Sequence, residues 1–300
     1  MKKAALHNLG CKVNAYETEA MQQMLEAAGY EIVDFHENAD VYVINTCSVT
    51  NMADRKSRQM IHRAKKQNPE AVIVAAGCYV QTKEAEAVAD EAIDIIIGNN
   101  KKYELVTKLD EFFRDHGKID DVLDINDKNQ KFEELYMDKP SEHTRAFIKV
   151  QDGCNQFCSY CIIPYARGPI RSRDLDEVLE ETRRLVKNGY TEVVYTGIHV
   201  ASYGVDKGEM MLSRLLVEAD KIEGLRRIRL SSIEPMMLNK DFVKEISGVK
   251  KLCPHFHLSL QSGCDETLKR MNRKYTTADY EASVKLIRKY FPLAGITTDV

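Results

Sequence analysis

The sequence predicts an α/β protein: an open parallel-sheet domain followed by a second series of βα units, as in a full or partial (β/α) barrel. Two observations lead to this prediction. Short, continuously apolar segments such as 41–44 and 72–75 alternate with stretches of helical periodicity, which is typical of parallel strands covered by helices on both faces. The alternation pauses after residue 114 and resumes at residue 146. We therefore expect two domains in the 300 residues.

The first predicted domain spans residues 1–114. Its strands are expected at 3–9, 41–44, 72–75 and 93–97, and its helices at 18–28, 52–67 and 102–115. Gly29 ends the first helix, and Asn68-Pro69 ends the second. Residues 115–139 carry many charged and amide side chains with few periodic apolar residues, so we interpret them as a polar linker.

The second predicted domain spans residues 140–300. Its strands are expected at 146–150, 192–196, 226–232, 255–261 and 294–300, and its helices at 174–187, 211–222, 241–246 and 277–290. In such βα arrays the reactive groups lie on the loops that follow the strands. The sequence stops on the fifth strand, whose edge would be exposed, so we expect a barrel truncated after its fifth strand.

Composition indicates an ordinary globular protein, with 44% hydrophobic and 30% charged residues and a net charge of −3. There is no apolar run of about 18 residues, as a membrane span requires, and the start MKKAALHN lacks the apolar core of a signal peptide. We therefore expect a cytoplasmic protein. In that compartment, eight cysteines favour metal or redox chemistry over disulfides.

One loop carries three of these cysteines, Cys154, Cys158 and Cys161, in a C-x3-C-x2-C pattern. Three thiolates on one loop can bind a cubane iron–sulfur cluster and leave one iron without a protein ligand. Open metal positions are typical of reactive sites. The alternatives are a zinc knuckle and a chance grouping. Zinc sites usually repeat a C-x2-C pair or add spaced histidines, whereas the nearest histidine here, His143, lies upstream.

A second group of cysteines is dispersed along the first domain. Cys11, Cys47 and Cys78 each follow the end of a different predicted strand, 36 and 31 residues apart. Ligands of open parallel sheets bind beyond the carboxyl ends of the strands, so these thiols are expected to converge. The alternative is three separate buried cysteines, which pack as small apolar residues. We favour a second cluster.

These motifs resemble those of the radical SAM (S-adenosylmethionine) methylthiotransferase family. The resemblance is carried by the run CNQFCSYCIIPYARGPIRSR from Cys154 to Arg173 and by three N-terminal segments, Asn8-Leu-Gly-Cys11-Lys-Val-Asn14, Asn45-Thr-Cys47-Ser-Val-Thr50 and Gly77-Cys78-Tyr-Val-Gln81. The Cys-Lys-Val-Asn form is most similar to the tRNA threonylcarbamoyladenosine (MtaB-type) branch. In sister branches the corresponding segment is similar to Cys-Gln-Met-Asn or Cys-Pro-Lys-Asn instead.

The resemblance implies two [4Fe–4S] clusters, with the six cysteines named above as metal ligands and no other catalytic residue. It implies transfer of a methylthio group to C2 of N6-threonylcarbamoyladenosine beside the anticodon of tRNA (position 37 type), with SAM as cofactor and an electron donor such as a flavodoxin. The family usually adds a C-terminal RNA-binding domain, which we expect to be absent here. Isopentenyladenosine tRNA, a ribosomal protein aspartate and a non-catalytic iron–sulfur fragment stay open as alternatives.

Residues at the strand ends are candidates for binding SAM. By resemblance and position these are Tyr160, Thr196, Gly197, Ser232, Glu234, Gln261 and Arg273. The Gly-Gly-Glu motif of related enzymes is absent after the second strand, and ordinary packing, turn and capping roles are the alternatives.

Basic residues suggest contacts with RNA. Arg167, Arg171 and Arg173 follow the cysteine loop and are expected to meet RNA phosphates. For these three arginines a solvated charged surface is the alternative. For the basic helix at 52–67, contact with phosphates and a solvated helix face stay equally open.

Overall fold

The computed structural model describes residues 1–127, 129–138 and 144–300. Within those ranges the chain forms two compact units, one made of residues 1–137 with 165–168 and the other of residues 138–164 with 169–300. The predicted α/β class is confirmed. The predicted boundary between linker and second domain, at 139 and 140, lies outside the described residues.

The first unit is built on one parallel sheet. Its strands are β1 (Lys3–Asn8), β2 (Glu31–Ile32), β3 (Val41–Thr46), β4 (Val72–Gly77), β5 (Ile95–Ile97) and β6 (Ile119–Asp121). Its helices are α1 (Lys12–Ala27), α2 (Asn51–Gln67), α3 (Cys78–Thr82), α4 (Glu84–Ala89) and α5 (Leu105–Asp115), the last preceded by a 3-10 turn at Lys102–Glu104. The strand order is β2-β1-β3-β4-β5-β6. It reverses between β1 and β3, and such switch points are where doubly wound sheets bind ligands.

Both faces of this sheet are covered, because every residue of β3 and β4 is buried. Alternate residues of β3 point to opposite faces. Tyr42 and Ile44 pack in the cluster that contains Ile61 of α2, whereas Val41 and Val43 pack with Met21 of α1. The continuous apolar run of each strand therefore reflects burial on both sides.

Much of the stretch interpreted as a linker packs on the first unit. Strand β6 pairs in parallel with β5, and Ile125, Leu135 and Met137 are buried. Gly168 contacts this stretch closely, since a Cβ at that residue would lie 2.1 Å from the carbonyl oxygen of Ile125. These apolar residues follow no regular period, which is why the sequence pattern does not reveal their burial.

The second unit contains the predicted parallel strands. Its strands are β7 (Ala146–Asp152), β8 (Arg171–Ser172), β9 (Glu192–Gly197), β10 (Arg227–Leu230), β11 (His255–His257) and β12 (Gly295–Thr297). Its helices are α6 (Ile163–Arg167, whose last residues belong to the first unit), α7 (Leu175–Lys187), α8 (Leu212–Asp220), α9 (Lys240–Ile246), α10 (Asp265–Arg270) and α11 (Thr277–Tyr290). Short 3-10 turns occur at Val200–Ser202, Val205–Lys207 and Pro235–Met237.

Strands β10, β9 and β7 pair in parallel, β11 pairs with β12, and single bridges join Ile228 to Leu252 and Ile233 to Leu258. The antiparallel pairing of β8 with β7 was not predicted, because two residues carry no recognisable period. In the part of the chain that the structure describes, no helix is both long enough and apolar enough to span a bilayer.

Candidate metal centres

The three N-terminal cysteines lie together beyond the carboxyl ends of β1, β3 and β4. Cys11 directly precedes α1, Cys47 directly follows β3, and Cys78 is the first residue of α3. Burial is the main cause that raises the pKa of the Cys11 and Cys47 thiols, and the nearby Cys78 raises both further. The convergence expected from the strand spacing is therefore present in the fold.

Two glycines allow the chain to turn at these cysteines. Gly10 has a φ of +119°, and a Cβ there would lie 3.0 Å from the Cβ and Sγ atoms of Cys47. Gly77 has a φ of +97°, and a Cβ there would lie 2.6 Å from Oδ1 of Asn45. L-residues with side chains rarely adopt such φ values, so both turns depend on glycine.

Asn14 joins two of the cysteine loops. Its Nδ2 donates to the carbonyl oxygens of Leu9 (2.8 Å) and Thr46 (2.9 Å), which lie two residues before Cys11 and one residue before Cys47. The Cys11 thiol donates to Oδ1 of Asn14 at 3.7 Å. The asparagine of the Cys-Lys-Val-Asn segment therefore fixes the spacing of the first two loops.

The expectation that Arg167, Arg171 and Arg173 meet RNA is wrong, because all three are buried. Arg167 contacts both carboxylate oxygens of Glu17, at 2.5 and 3.1 Å, and its positive charge opposes the rise in the Cys11 thiol pKa caused by burial. Arg171 donates to the carbonyl oxygen of Pro169. Arg173 pairs with the buried Glu181. Their guanidinium groups neutralise interior carboxylates and are withdrawn from solvent.

The C-x3-C-x2-C loop begins after β7 and is held by the segment that follows α10. The backbone N–H of Ser159 donates to the carbonyl oxygen of Met271 (3.1 Å), and Nδ2 of Asn272 donates to the carbonyl oxygen of Phe157 (2.8 Å). Phe157 has a φ of +48°. These long-range contacts stabilise the cysteine loop.

Arg273 connects this loop to a buried carboxylate. Its Nη1 donates to Sγ of Cys158 at 3.2 Å, and its Nη2 lies 2.8 Å from Oε1 of Glu234. The other oxygen of Glu234 lies 2.9 Å from Nε2 of His199. Burial alone would raise the pKa of Glu234, but the His199 hydrogen bond and the charges of His199 and Arg273 outweigh it and lower that pKa.

The loop thiols of Cys154 and Cys161 are poor acids. Burial raises the pKa of Cys154 to about 11 and also raises that of Cys161. Both are therefore protonated at neutral pH and must release a proton when they bind a metal.

Among the predicted SAM-binding residues, the structure brings Tyr160, Glu234 and Arg273 together. Burial raises the pKa of Tyr160, and the charge of Arg273 acts against it. Thr196 is buried and Ser232 is exposed. Gly197 packs against Gln151, whose Oε1 lies 2.8 Å from the place where a Cβ would be.

Gln261 adopts a φ of +69°, and its backbone N–H donates to the carbonyl oxygen of Asp299. Two residues near this site were missed by the sequence analysis. Gln151 accepts from the backbone N–H of His199 at 2.7 Å and donates to the carbonyl oxygens of Asp152 and Gly153. The position of His199, two residues after the Gly197 strand end, was the available signal.

Cysteine thiols are the donor type that iron–sulfur clusters use. No group of three or more His, Cys, Asp or Glu side chains in the described ranges is arranged to hold a single metal ion. A cubane binds each thiolate through a different iron, and cysteine thiolates are its usual ligands. Each unit offers three such thiols with a guanidinium beside them, Arg167 in the first and Arg273 in the second.

Two family models match the chain. The model described as "Uncharacterized protein family UPF0004" matches residues 3–98, and that described as "Radical SAM superfamily" matches residues 148–299. Threonylcarbamoyladenosine tRNA methylthiotransferase MtaB of Bacillus subtilis is 44% identical over 100% of this chain and 66% of its own length. The MtaB protein of Aquifex aeolicus is 42% identical over 99% of this chain and 72% of its own length. The chain belongs to the radical SAM methylthiotransferase family.

Further members of the methylthiotransferase family are more distant. The tRNA-2-methylthio-N(6)-dimethylallyladenosine synthase of Clostridium novyi is 36% identical over 100% of this chain and 67% of its own length. The chain thus spans about two thirds of the length of the curated relatives it matches. Radical SAM membership implies SAM and one [4Fe–4S] cluster.

Solved structures agree with this methylthiotransferase chain in fold. The radical SAM methyltransferase TsrM of Kitasatospora setae aligns with a TM-score of 0.68 at 16% identity, over 99% of this chain and 67% of that one. The cobalamin-dependent radical SAM enzyme OxsB aligns with a TM-score of 0.64 at 12% identity, over 99% of this chain and 49% of that one. At these identities the likeness concerns the fold alone.

Proposed function

We propose that this chain binds two [4Fe–4S] clusters and SAM, and that it transfers a methylthio group to C2 of N6-threonylcarbamoyladenosine beside the anticodon of tRNA. Cys154, Cys158 and Cys161 would hold the cluster of the radical SAM unit. Cys11, Cys47 and Cys78 would hold the second cluster. The observation that carries the proposal is the presence of two separate three-thiol groups in a radical SAM chain, each beyond the ends of parallel strands.

The radical SAM cluster, when bound, supplies one-electron reducing chemistry to SAM. Residues of the chain hold and orient the groups around that site. Arg273 donates a hydrogen bond to Sγ of Cys158 and places a positive charge beside the ligands. Glu234 orients Arg273, and His199 in turn orients Glu234. Gln151 fixes both the start of the cysteine loop and the backbone of His199.

The proposed SAM-binding residues follow the strand ends around this network. Tyr160 offers a half-exposed ring in the loop itself, and Glu234 and Arg273 lie beside Cys158. Thr196, Gly197, Ser232 and Gln261 complete the proposed set. Because Arg273 and Glu234 carry opposite charges, they can meet the carboxylate and the amino group of an amino acid.

Two observations support threonylcarbamoyladenosine as the substrate. Four MtaB proteins are 37–44% identical to this chain, whereas four dimethylallyladenosine-type synthases are 33–36% identical. The Cys11-Lys-Val-Asn14 segment also has the MtaB-type form. Transfer RNA and an electron donor such as a flavodoxin are the partners that this reaction requires.

A product assay tests the proposal. The reconstituted chain would be incubated anaerobically with SAM, sulfide, dithionite and tRNA carrying either threonylcarbamoyladenosine or isopentenyladenosine, and the nucleosides would be analysed by mass spectrometry. We expect the 2-methylthio product only from threonylcarbamoyladenosine, and none from a Cys78→Ala variant that still cleaves SAM.

Other outcomes separate the alternatives. Product from isopentenyladenosine alone would assign the chain to the isopentenyladenosine branch of the family. SAM cleavage without any tRNA product would direct the search to a ribosomal protein aspartate. No SAM cleavage at all from iron-loaded protein would favour a non-catalytic iron–sulfur chain.

A further inference from the structure

A continuous buried polar network links Cys11 to Cys78 inside the first unit. From Asn14, which accepts from the Cys11 thiol, it passes to Nη2 of Arg167 (2.7 Å) and on to Glu17. Glu17 lies 3.3 Å from Nζ of Lys102, and that ammonium donates to Oδ1 of Asn99 at 2.8 Å. Glu17, Lys102 and Asn99 are fully buried.

The network ends on a sulfur atom. Nδ2 of Asn99 lies 3.6 Å from Sγ of Cys78 and donates to the carbonyl oxygen of Ala166 at 2.7 Å. The orientation of this amide follows from its neighbours. An ammonium can only donate and a backbone carbonyl can only accept. The oxygen of Asn99 must therefore face Lys102, and its NH2 group must face Ala166 and Cys78.

Asn99 and Asn14 differ in what they offer a deprotonated cysteine. Asn14 accepts from the Cys11 thiol, and that contact disappears when the thiol loses its proton to bind iron. Asn99 donates to Cys78, and hydrogen bonds to a charged acceptor are stronger than those to a neutral one. The Cys78 contact is therefore the one that gains strength when a cluster is bound.

We propose that Asn99 is a positioning residue that donates an N–H hydrogen bond to the Cys78 ligand of the second cluster and raises the reduction potential of that cluster. Lys102 and Glu17 hold the amide in the donating orientation. Hydrogen bonds to the sulfurs are one of the features that set cluster potentials, because they stabilise the more negative, reduced state. The inference rests on the proposed function in one respect, namely that Cys11, Cys47 and Cys78 bind a cluster.

The test isolates the second cluster in a Cys154→Ala/Cys158→Ala/Cys161→Ala background. In this background Asn99→Leu removes the donor without adding charge. Asn99→Asp removes it and adds charge. The adjacent Asn100→Asp adds charge at a residue whose amide is hydrogen-bonded to Gln130 and Lys131. Iron content is measured first. The midpoint potential then comes from an anaerobic dithionite titration followed by electron paramagnetic resonance.

We expect about four irons per chain in the background protein, as one cubane requires, and the same content in the variants. The midpoint potential should shift to more negative values in Asn99→Leu, and further in Asn99→Asp than in Asn100→Asp. If Asn99→Leu takes up no iron, the role of Asn99 is decided by comparing the midpoint potentials of Asn99→Asp and Asn100→Asp. An unchanged potential in iron-loaded Asn99→Leu, or equal shifts in that pair, would overturn the role of Asn99. Absence of iron from the background protein would overturn the second cluster, and the inference with it.

Discussion

The guanidinium of Arg167 shows what a buried charge requires in this fold. It contacts both oxygens of Glu17 and the amide oxygen of Asn14, and the side chains of Arg167 and Glu17 are fully buried. Removing two charges from water costs roughly several kcal/mol per ion, and only close geometry with additional hydrogen bonds compensates for it. Removing one partner of such a pair therefore lowers the stability of the fold more than removing both.

Replacing Arg167 by methionine should destabilise the first unit by about 3 kcal/mol, the usual cost of leaving a buried partner charge uncompensated. Hydrogen exchange followed by mass spectrometry on peptides from β1 and β3 measures the change. Arg114→Met is the matched control, since Arg114 pairs with Asp115 on the surface and such exposed pairs contribute little. Equal exchange in the two variants would contradict this account.

Thiol reactivity should follow the environment of each cysteine. Burial raises the pKa of Cys154 to about 11, whereas hydrogen bonds from the backbone N–H groups of Thr267 and Glu266 lower the pKa of the exposed Cys264. The thiolate is the nucleophile. Metal-free protein treated with limiting iodoacetamide at pH 7.5 should therefore be alkylated first at Cys264 and much later at Cys154, as peptide mass spectrometry would show. The reverse order would mean that the loop thiols lie in a different environment.

At the residue scale, the sequence predicted where the N-terminal cysteines lie better than it predicted their surroundings. Regular spacing after strands identified Cys11, Cys47 and Cys78, because their positions follow from the βα repeat. Nothing local marks Arg167 as a buried residue, because its partner Glu17 lies 150 positions away. His199 and Asn99 escaped notice for the same reason: their roles depend on contacts between distant segments.

At the scale of single elements, the strand-to-helix turns that carry the cysteines limit what can be substituted. Gly77 and Gly29 both have positive φ, at +97° and +86°. A Cβ at Gly77 would lie 2.6 Å from Oδ1 of Asn45 and 2.9 Å from the carbonyl oxygen of Thr46, whereas a Cβ at Gly29 would meet nothing within 4 Å. The pair therefore separates the cost of the backbone conformation from the cost of crowding.

Gly29→Ala should cost about 1 kcal/mol, the penalty of the left-handed region alone. Gly77→Ala should cost about 3 kcal/mol, because crowding against the backbone is added to that penalty. Urea unfolding monitored by circular dichroism at 222 nm compares the two variants. A Gly77→Ala protein as stable as Gly29→Ala would show that the turn between β4 and α3 adjusts without strain.

Element boundaries were predicted well where capping and periodicity agree. Helix α11 begins and ends at the predicted residues, and Thr276 and Asp279 form a capping box at its start. Helix α1 begins six residues before its predicted start, directly after Cys11, because the polar side chains of its first turns, such as Asn14 and Glu17, are buried in the network and hide the apolar period. Helix α10, with six residues, is too short to show a period.

At the scale of the whole molecule, the fold class and the alternation of strands and helices along the chain could be predicted from apolar runs, since parallel strands are buried on both faces. The packing of residues 119–137 did not follow, because their buried side chains have no period. The hydrogen bonds between the cysteine loop and residues 270–273 could not be predicted either, since they join segments more than 100 residues apart.

Iron loading of the complete chain should depend on pH with a definite sign. Burial raises the thiol pKa of Cys11, Cys47, Cys154 and Cys161, so these proposed ligands in both units are protonated at pH 7. Each must release a proton on binding, and below its pKa each released proton increases the apparent binding constant by about tenfold per pH unit. Iron content at limiting iron should therefore rise between pH 7 and pH 9.

Anaerobic reconstitution at pH 7, 8 and 9, followed by iron and sulfide analysis, measures this dependence. Cys264→Ser is the control, because that thiol is exposed and its pKa is lowered. If the four thiols with raised pKa values control the loading, the Cys264→Ser control must show the same rise as the parent chain. A flat profile in the parent would mean that the thiols are already deprotonated at pH 7, and that Arg167 and Arg273 outweigh burial at both sites.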